Sequence, residues 1–344
     1  MALHMVADIP GLSLADSLHI AILASILCLL IYWLIRDSQR VRNLSEKHVF
    51  IMHCDTGLGN SLAKWLDKRG FCVIAACATE KGGRELRSCS SLSLKTVNLN
   101  LADSHSIARA VLFVTRETAG KGLFGLVSDT EGTAPAAPTD WLSIEDFHSV
   151  LDVSLLGLIE ITLKLLPLLK KAEGRVINLI NAKGLMAFAG GVYSLSKCGV
   201  EAFSDTLRIE MQHFGVKVCI VEHGFFKAEV VNSDVIQSNL LRLWNRLTPE
   251  TRDSYGEKYF IEYTKAQRSF VKRLCDSDIK VIKCMEHALT AKYPRTRYGA
   301  GWDAKFFWLF LSYAPSCLSD MLLRMMLPTP AASGRSVPGV IINI

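Results

Sequence analysis

Residues 49–60 read Val-Phe-Ile-Met-His53-Cys-Asp55-Thr-Gly57-Leu58-Gly59-Asn60. Four apolar residues, β-branched and aromatic among them, have the character of a buried strand. Two glycines follow, and then Leu58, Leu62, Trp65 and Leu66 recur at i, i+4, i+7 and i+8. That spacing is the stripe of a helix packed on one face, and Gly70 ends it. Glycines at such a strand-to-helix turn let the backbone approach a pyrophosphate seated on the helix N-terminus. Gly57, Leu58 and Gly59 are therefore candidate cofactor-binding residues. G-x-G alone is a weak signal, so the rest of the chain has to support it.

It does so by repetition. Further strands are expected at Cys72–Cys77, 94–99, 123–127, 175–180 and 216–221, with a late one near 295–298, and helical patterns lie between them. Strands alternating with helices argue for βαβ units. The predicted fold class is α/β, a Rossmann-type doubly wound parallel sheet in a single domain over 48–328, behind an N-terminal membrane-anchor helix. Residues 225–277 break the rhythm, and an insertion near the carboxyl ends of the strands commonly covers a substrate. Residues 1–17 and 329–344 read as tails.

Half of the 344 residues are hydrophobic, 21% are charged and mean hydropathy is +0.25, which excludes a disordered chain. The net charge of +6 is spread along the chain without like-charge runs, so no nucleic-acid partner is indicated. Ten cysteines show no C-x-x-C spacing, which argues against a disulfide framework or a structural zinc site. His53 and His223 could share a cleft, but no third ligand stands at a sensible spacing, and no metal is expected.

Residues 18–35 carry no formal charge and are closed by Arg36. Eighteen apolar residues are the short end of a bilayer span. No Lys or Arg precedes them, as a signal peptide would require, so a retained transmembrane anchor is expected. Arg36, Arg40, Arg42 and Lys47 follow in a basic linker (36–47), which places the main domain on the cytosolic side. The sequon at Asn43 is the contrary sign, and a weak one so near the membrane. The apolar stretch 306–327 is interrupted by Pro315, Asp320 and Arg324 and reads as core or an interfacial segment, not a second span.

The chemistry is carried by Tyr193-Ser194-Leu195-Ser196-Lys197, which follows a strand and a glycine pair and opens an amphipathic helix. Tyr and Lys at i, i+4 share one helical face. The ammonium then lowers the phenol's pKa and suits it to general acid/base work. With KHVFIMHCDTGLGN, VIAACATEKG, GLFGLV, LLPLLKKAEGRVIN, YSLSKCGVEAFSDTLR, FGVKVCIVE, MEHALTAKYPRTRY and GWDAKFFW, the chain resembles the short-chain dehydrogenase/reductase superfamily. More narrowly, it is similar to the microsomal retinol and hydroxysteroid dehydrogenases, from about Asn43 to Pro328.

The resemblance implies catalytic roles for Tyr193 and Lys197, the latter also binding ribose hydroxyls. It also exposes departures. The family's T-G-x-x-x-G-x-G begins here with Met52 and His53, and a histidine at the tight turn should crowd the phosphate path. The acid that holds the adenine amine corresponds to Asn100, and N-N-A-G to Ser128-Asp129-Thr130-Glu131. The asparagine of the proton relay corresponds to Ser154. The catalytic serine corresponds to Asn181, followed by Ala182-Lys183-Gly184, and an amide N–H there could still serve a substrate oxygen. P-G after the sixth strand is His223-Gly224, and the nicotinamide-binding threonine corresponds to Ala228.

Two functions follow from this balance. One is a membrane-bound oxidoreductase interconverting a lipophilic alcohol, retinol or hydroxysteroid, with its aldehyde or ketone, at an impaired or altered rate; retention of Tyr193 and Lys197 favours it. The other is a catalytically inactive relative that binds ligands or partners. The expected cofactor is NAD rather than NADP, because Ala78-Thr79-Glu80 after the second strand offers no arginine to a 2′-phosphate; Lys81 is the residue that could reverse this. Expected partners are a lipophilic small molecule, the membrane and, for the assembly, a second copy. The expected location is the endoplasmic reticulum membrane.

Overall fold

The computed structural model describes residues 14–128, 137–181, 190–224, 233–274 and 278–331. In chain order the elements are α1 (Leu14–Ser38), β1 (His48–Ile51), α2 (Gly57–Lys68), β2 (Cys72–Cys77), α3 (Glu80–Ser88), β3 (Lys95–Asn98), α4 (Ser104–Glu117) and β4 (Gly125–Ser128). Next come α5 (Ile144–Leu151), a π-helical turn (Asp152–Gly157), α6 (Leu158–Lys171), β5 (Arg175–Asn181), α7 (Gly191–Met211) and β6 (Lys217–His223). The chain then runs through α8 (Ser233–Arg246), α9 (Pro249–Tyr255), α10 (Glu257–Leu274), α11 (Asp278–Thr290), β7 (Arg297–Ala300), a second π turn (Asp303–Trp308), α12 (Leu309–Tyr313) and α13 (Ser316–Met326).

The seven strands form one sheet in the order β3-β2-β1-β4-β5-β6-β7, every pairing parallel. All seven expected strands are present, displaced by a few residues at their ends. The order reverses between β1 and β4, which puts a crevice at the carboxyl ends of the strands. Along β1, Val49 and Ile51 face one core with α2 and α11, while Phe50 and Met52 face another with α4, α6 and α7. Alternate side chains of a strand point to opposite faces, and a parallel sheet covered on both sides has no polar face.

Within α1, Leu18–Ser38 is the one helix among the described residues long and apolar enough to cross a membrane, and none of its apolar window is buried in the domain. Its end is held firmly. Val41 N–H donates to Thr290 O at 2.7 Å, Lys292 N–H donates to Gln39 O at 3.0 Å, and Arg40 bridges to Ala291. The first residues of the expected linker are thus packed on the domain, because their backbone pairs with the loop between α11 and β7. From inside, the buried Arg175 donates to the carbonyls of Ala288, Leu289 and Ala291 and closes the end of α11. Burial pulls its guanidinium down to about 10, so it stays charged at neutral pH.

The 225–277 region supplies α8, α9 and α10. Leu240, Leu243, Trp244, Tyr259 and Tyr263 from these helices close around Trp141, which comes from the segment after β4. Burial pushes the Tyr259 phenol up to about 12, so the cluster is neutral in the physiological range. Among the described residues the stretch 306–327 forms no second span, and it is only partly core: Leu311 is buried and Leu327 packs against the Trp141 cluster. It is divided among short helical pieces, with Phe306 73% and Met325 77% exposed.

Candidate active site

At the glycine turn, Gly57 has φ +67°, and a Cβ there would meet nothing within 4 Å. A Cβ at Gly59 would stand 2.4 Å from His53 O, so only glycine lets α2 start this close to β1. Thr56 is the N-cap of α2, yet its side chain caps no N–H. Open space at Gly57 and a helix start without a side-chain cap fit a bound pyrophosphate. Asn60 Nδ2 steadies the turn from Cys54 O at 2.9 Å. His53 retains the left-handed conformation expected of a glycine, φ 54°, at the cost of backbone strain. Asn100 is exposed, and its Oδ1 accepts from Ala102 N–H at 3.0 Å, which leaves one lone pair for another donor.

Across the switch point, α7 opens on Gly190 and Gly191, at φ 69° and 50°. A Cβ at 191 would come within 2.6 Å of Leu142 Cδ1, so the glycine pair lets the post-β4 segment lie on the helix start. Two residues on, Tyr193 is half-buried, and Lys197 is 1% exposed with its Nζ 5.5 Å from the Tyr193 ring centroid. A lysine this deep is rare unless engaged. Asn181 is the last residue of β5 and pairs in register with His223, followed by Gly224 at the end of β6. The Asn181 side chain, Asp129, Thr130, Glu131, Ala182, Lys183, Gly184 and Ala228 lie outside the described residues. The sheet therefore gathers Gly57, Leu58, Gly59, Asn181, Gly224, Tyr193 and Lys197 along its carboxyl edge.

Ser154 is buried in the π turn before α6, and its Oγ donates to Val150 O at 2.7 Å. Its hydroxyl proton is thus committed within its own helix, and toward a relay it offers only lone pairs. Such π bulges are frequent at functional sites. A Cβ at Gly157 would lie 2.2 Å from Leu101 O, and one at Gly199 would lie 2.8 Å from Leu155, so the turn is wedged between the β3–α4 loop and α7.

Sequence reasoning missed a buried polar chain behind the site. Ser128 Oγ donates to Asn178 Oδ1 at 2.6 Å, Asn178 Nδ2 to Ser204 Oγ at 2.7 Å, and Ser204 Oγ to Val200 O at 2.6 Å. It ties β4 and β5 to the turn of α7 that follows Lys197. The signal available was an asparagine inside the apolar strand 175–180, a place where a polar residue needs partners. Among the described residues no group of three His, Cys, Asp or Glu side chains is arranged to hold a metal ion.

The model of the short chain dehydrogenase family matches residues 47–238. The chain belongs to the short-chain dehydrogenases. The rat protein named retinol dehydrogenase 7 is 49% identical over 291 residues, 84% of this chain and 92% of that one. Rat retinol dehydrogenase 16 is 47% identical over 86% of this chain and 94% of its own length. For human retinol dehydrogenase 5 the figures are 45%, 88% and 95%. A short-chain dehydrogenase structure from Streptomyces avermitilis superposes with TM-score 0.63 over 81% of this chain and 94% of that one, at 20% identity, a likeness of fold. Family membership bears out the resemblance, and with it the expected class of nicotinamide-dependent oxidoreductases.

Proposed function

We propose that this short-chain dehydrogenase is a membrane-anchored, NAD(H)-dependent oxidoreductase that interconverts a retinol or hydroxysteroid with its aldehyde or ketone. The carrying observation is Lys197, buried beneath Tyr193 at the carboxyl edge of the sheet. The bound nicotinamide supplies the hydride acceptor or donor. Tyr193 then holds or moves the proton at the substrate oxygen, with Lys197 favouring the phenolate by its charge. Asn181, at the end of β5, is assigned the donor role toward that oxygen. Gly57, Leu58 and Gly59 take the pyrophosphate on the start of α2.

A lipophilic substrate suits the neutral aromatic cluster around Trp141, which reaches the start of α7 through Leu142. It also suits the names of the relatives above. The apolar helix Leu18–Ser38, followed by Arg40, Arg42 and Lys47, supports a membrane anchor with the domain on the cytosolic side, in keeping with the endoplasmic reticulum.

The strained His53 and the committed Ser154 hydroxyl favour reduced catalysis, and a non-catalytic ligand binder is the second reading they support. Fluorescence titration of the purified protein with NADH decides between binding and none. Saturable binding is expected; its absence for both NADH and NADPH would end the oxidoreductase reading.

A further inference from the structure

Asp55 stands in the glycine turn, two residues before Gly57, but its carboxylate reaches across to the end of β2. Oδ2 accepts from the backbone N–H of Ala78 at 2.6 Å. Oδ1 accepts from the N–H of Thr79 at 2.9 Å and from Thr79 Oγ1 at 2.6 Å. Thr79 in turn caps α3, accepting from Gly82 N–H at 3.0 Å. A Cβ at Gly82 would lie 2.6 Å from Asp55 Oδ1, so α3 begins directly against the carboxylate.

In a doubly wound nucleotide-binding fold, the residue that reads the adenosine ribose stands about 20 residues past the glycine turn, after the second strand. An acid there takes the 2′-hydroxyl, and an arginine accommodates a 2′-phosphate. Here that place holds Ala78, Thr79 and Glu80, and it is Asp55, from the other strand's turn, whose carboxylate binds the backbone there. Backbone N–H groups at the start of a helix are the donors an anion would use. Asp55 already has two of them. Lys81, the nearby cation in sequence, is exposed and pairs loosely with Glu85 at 3.9 Å.

Resting on the nicotinamide-dependent reading above, we infer that Asp55 is the residue that selects the cofactor by its adenosine ribose. Free ribose hydroxyls donate to lone pairs left on the carboxylate. A 2′-phosphate meets a fixed like charge and finds its backbone donors taken. With that charge removed, two cations, Arg84 and Arg87, outnumber the one acid, Glu80, that lines with them and with Thr79 and Asn98 a cleft of about 360 Å³ between α3 and β3.

The test uses the full-length protein in detergent micelles, titrated with NADH and with NADPH and read by energy transfer from protein tryptophan to the reduced nicotinamide. The native protein is expected to bind NADH more tightly. Asp55→Asn keeps the side-chain shape and removes the charge, and should cut that preference by roughly 10- to 1,000-fold, the range of a like-charge contact near a protein surface. Most of the change should appear as tighter NADPH binding, and Asp55→Ser should act in the same direction. A second arm needs no variant: ADP should displace NADH from the native protein, and adenosine 2′,5′-bisphosphate should do so far less well. Native preference for NADPH, equal competition by the two adenosine compounds, or an unchanged preference in folded Asp55→Asn and Asp55→Ser would each overturn the inference and leave the oxidoreductase reading standing. Failure of the native protein to bind either nucleotide would overturn both.

Discussion

Arg295 grips both carboxylate oxygens of Asp37, Nε to Oδ1 at 3.0 Å and Nη2 to Oδ2 at 2.7 Å, and so fastens the end of α1 to the loop before β7. The same guanidinium lies over Trp33, 4.9 Å from the ring centroid. Bidentate geometry and the stacked ring make this a stronger hold than a single surface ion pair. Arg295→Met should therefore lower the local opening free energy by about 1 kcal/mol. Hydrogen exchange at the Val41 and Lys292 amides should speed up roughly fivefold, while amides of β1 and β5 remain unchanged. Uniform acceleration would show that the clasp does not open on its own.

The clasp also carries a pH dependence. His287 Nε2 lies 3.2 Å from Asp37 O, a pure acceptor, so this nitrogen bears the proton and Nδ1 accepts from Tyr298 OH at 3.0 Å. Burial holds the His287 pKa below its ordinary value, against the opposing pull of Asp37, whose Oδ1 lies 3.6 Å from Nε2. A depressed histidine pKa means that the unfolded chain takes up the proton first. Its stabilisation is complete above about pH 6.5 and declines as the pH falls through that value. The melting temperature should drop between pH 7.5 and pH 5.5, and His287→Gln should show a smaller drop. An equal drop in both would assign the effect elsewhere, with His48, also depressed by burial, the next candidate.

Deleting residues 1–36 removes the exposed apolar helix and leaves Asp37 in place. The truncated protein should fold, and carbonate washing should release it at least in part from microsomes. Retention of all of it in the pellet would make the C-terminal segment, with its exposed Phe306 and Met325, an integral membrane element. Protease added to sealed microsomes should digest the main domain of the native protein; full protection would place it in the lumen.

Much of the fold was legible because its signals are short in range. Strand character at 49–52, glycines at 57 and 59 and the Tyr193–Lys197 spacing each lie within one element, and family motifs extended them along the chain. What could not be read are contacts whose partners are far apart in sequence. Asp37 and Arg295 are 258 positions apart, and nothing in either segment announces the other. Asp55 meets its partners only because β2 brings Ala78 and Thr79 to it. The expected acceptor at Asn100 was legible, but its engagement by Ala102 was not. Ser154 stood at the expected helical position, yet its hydroxyl orientation depends on a π turn that no spacing rule foresees.

Arg297 illustrates the same limit. It binds Glu201 and Glu222 through Nη1, each at 2.7 Å, and Asp205 through Nη2 at 2.6 Å, one cation answering three carboxylates from α7 and β6. Removing it as Arg297→Met leaves three like charges together. A cost of about 2–3 kcal/mol is expected, discounted because the guanidinium is partly exposed. The melting temperature should fall by roughly 5 °C or more at pH 7. The deficit should narrow in high salt, which screens the repulsion. A deficit independent of salt would mean that packing, not charge, was lost.

The proposed catalytic account rests on Tyr193, and turnover of a retinol or hydroxysteroid with NAD in the native protein and in Tyr193→Phe tests it most directly. To raise the signal, the same pair is measured with His53→Gly, Ser154→Asn, Asn181→Ser and Ala228→Thr together, which should increase the rate by restoring the turn and a polarising hydroxyl. The native rate should lie below the roughly 1–10³ per second of ordinary enzymes. Tyr193→Phe should lower it at least about 100-fold in either background, the usual scale of general acid/base catalysis. An unchanged rate in Tyr193→Phe would contradict the account.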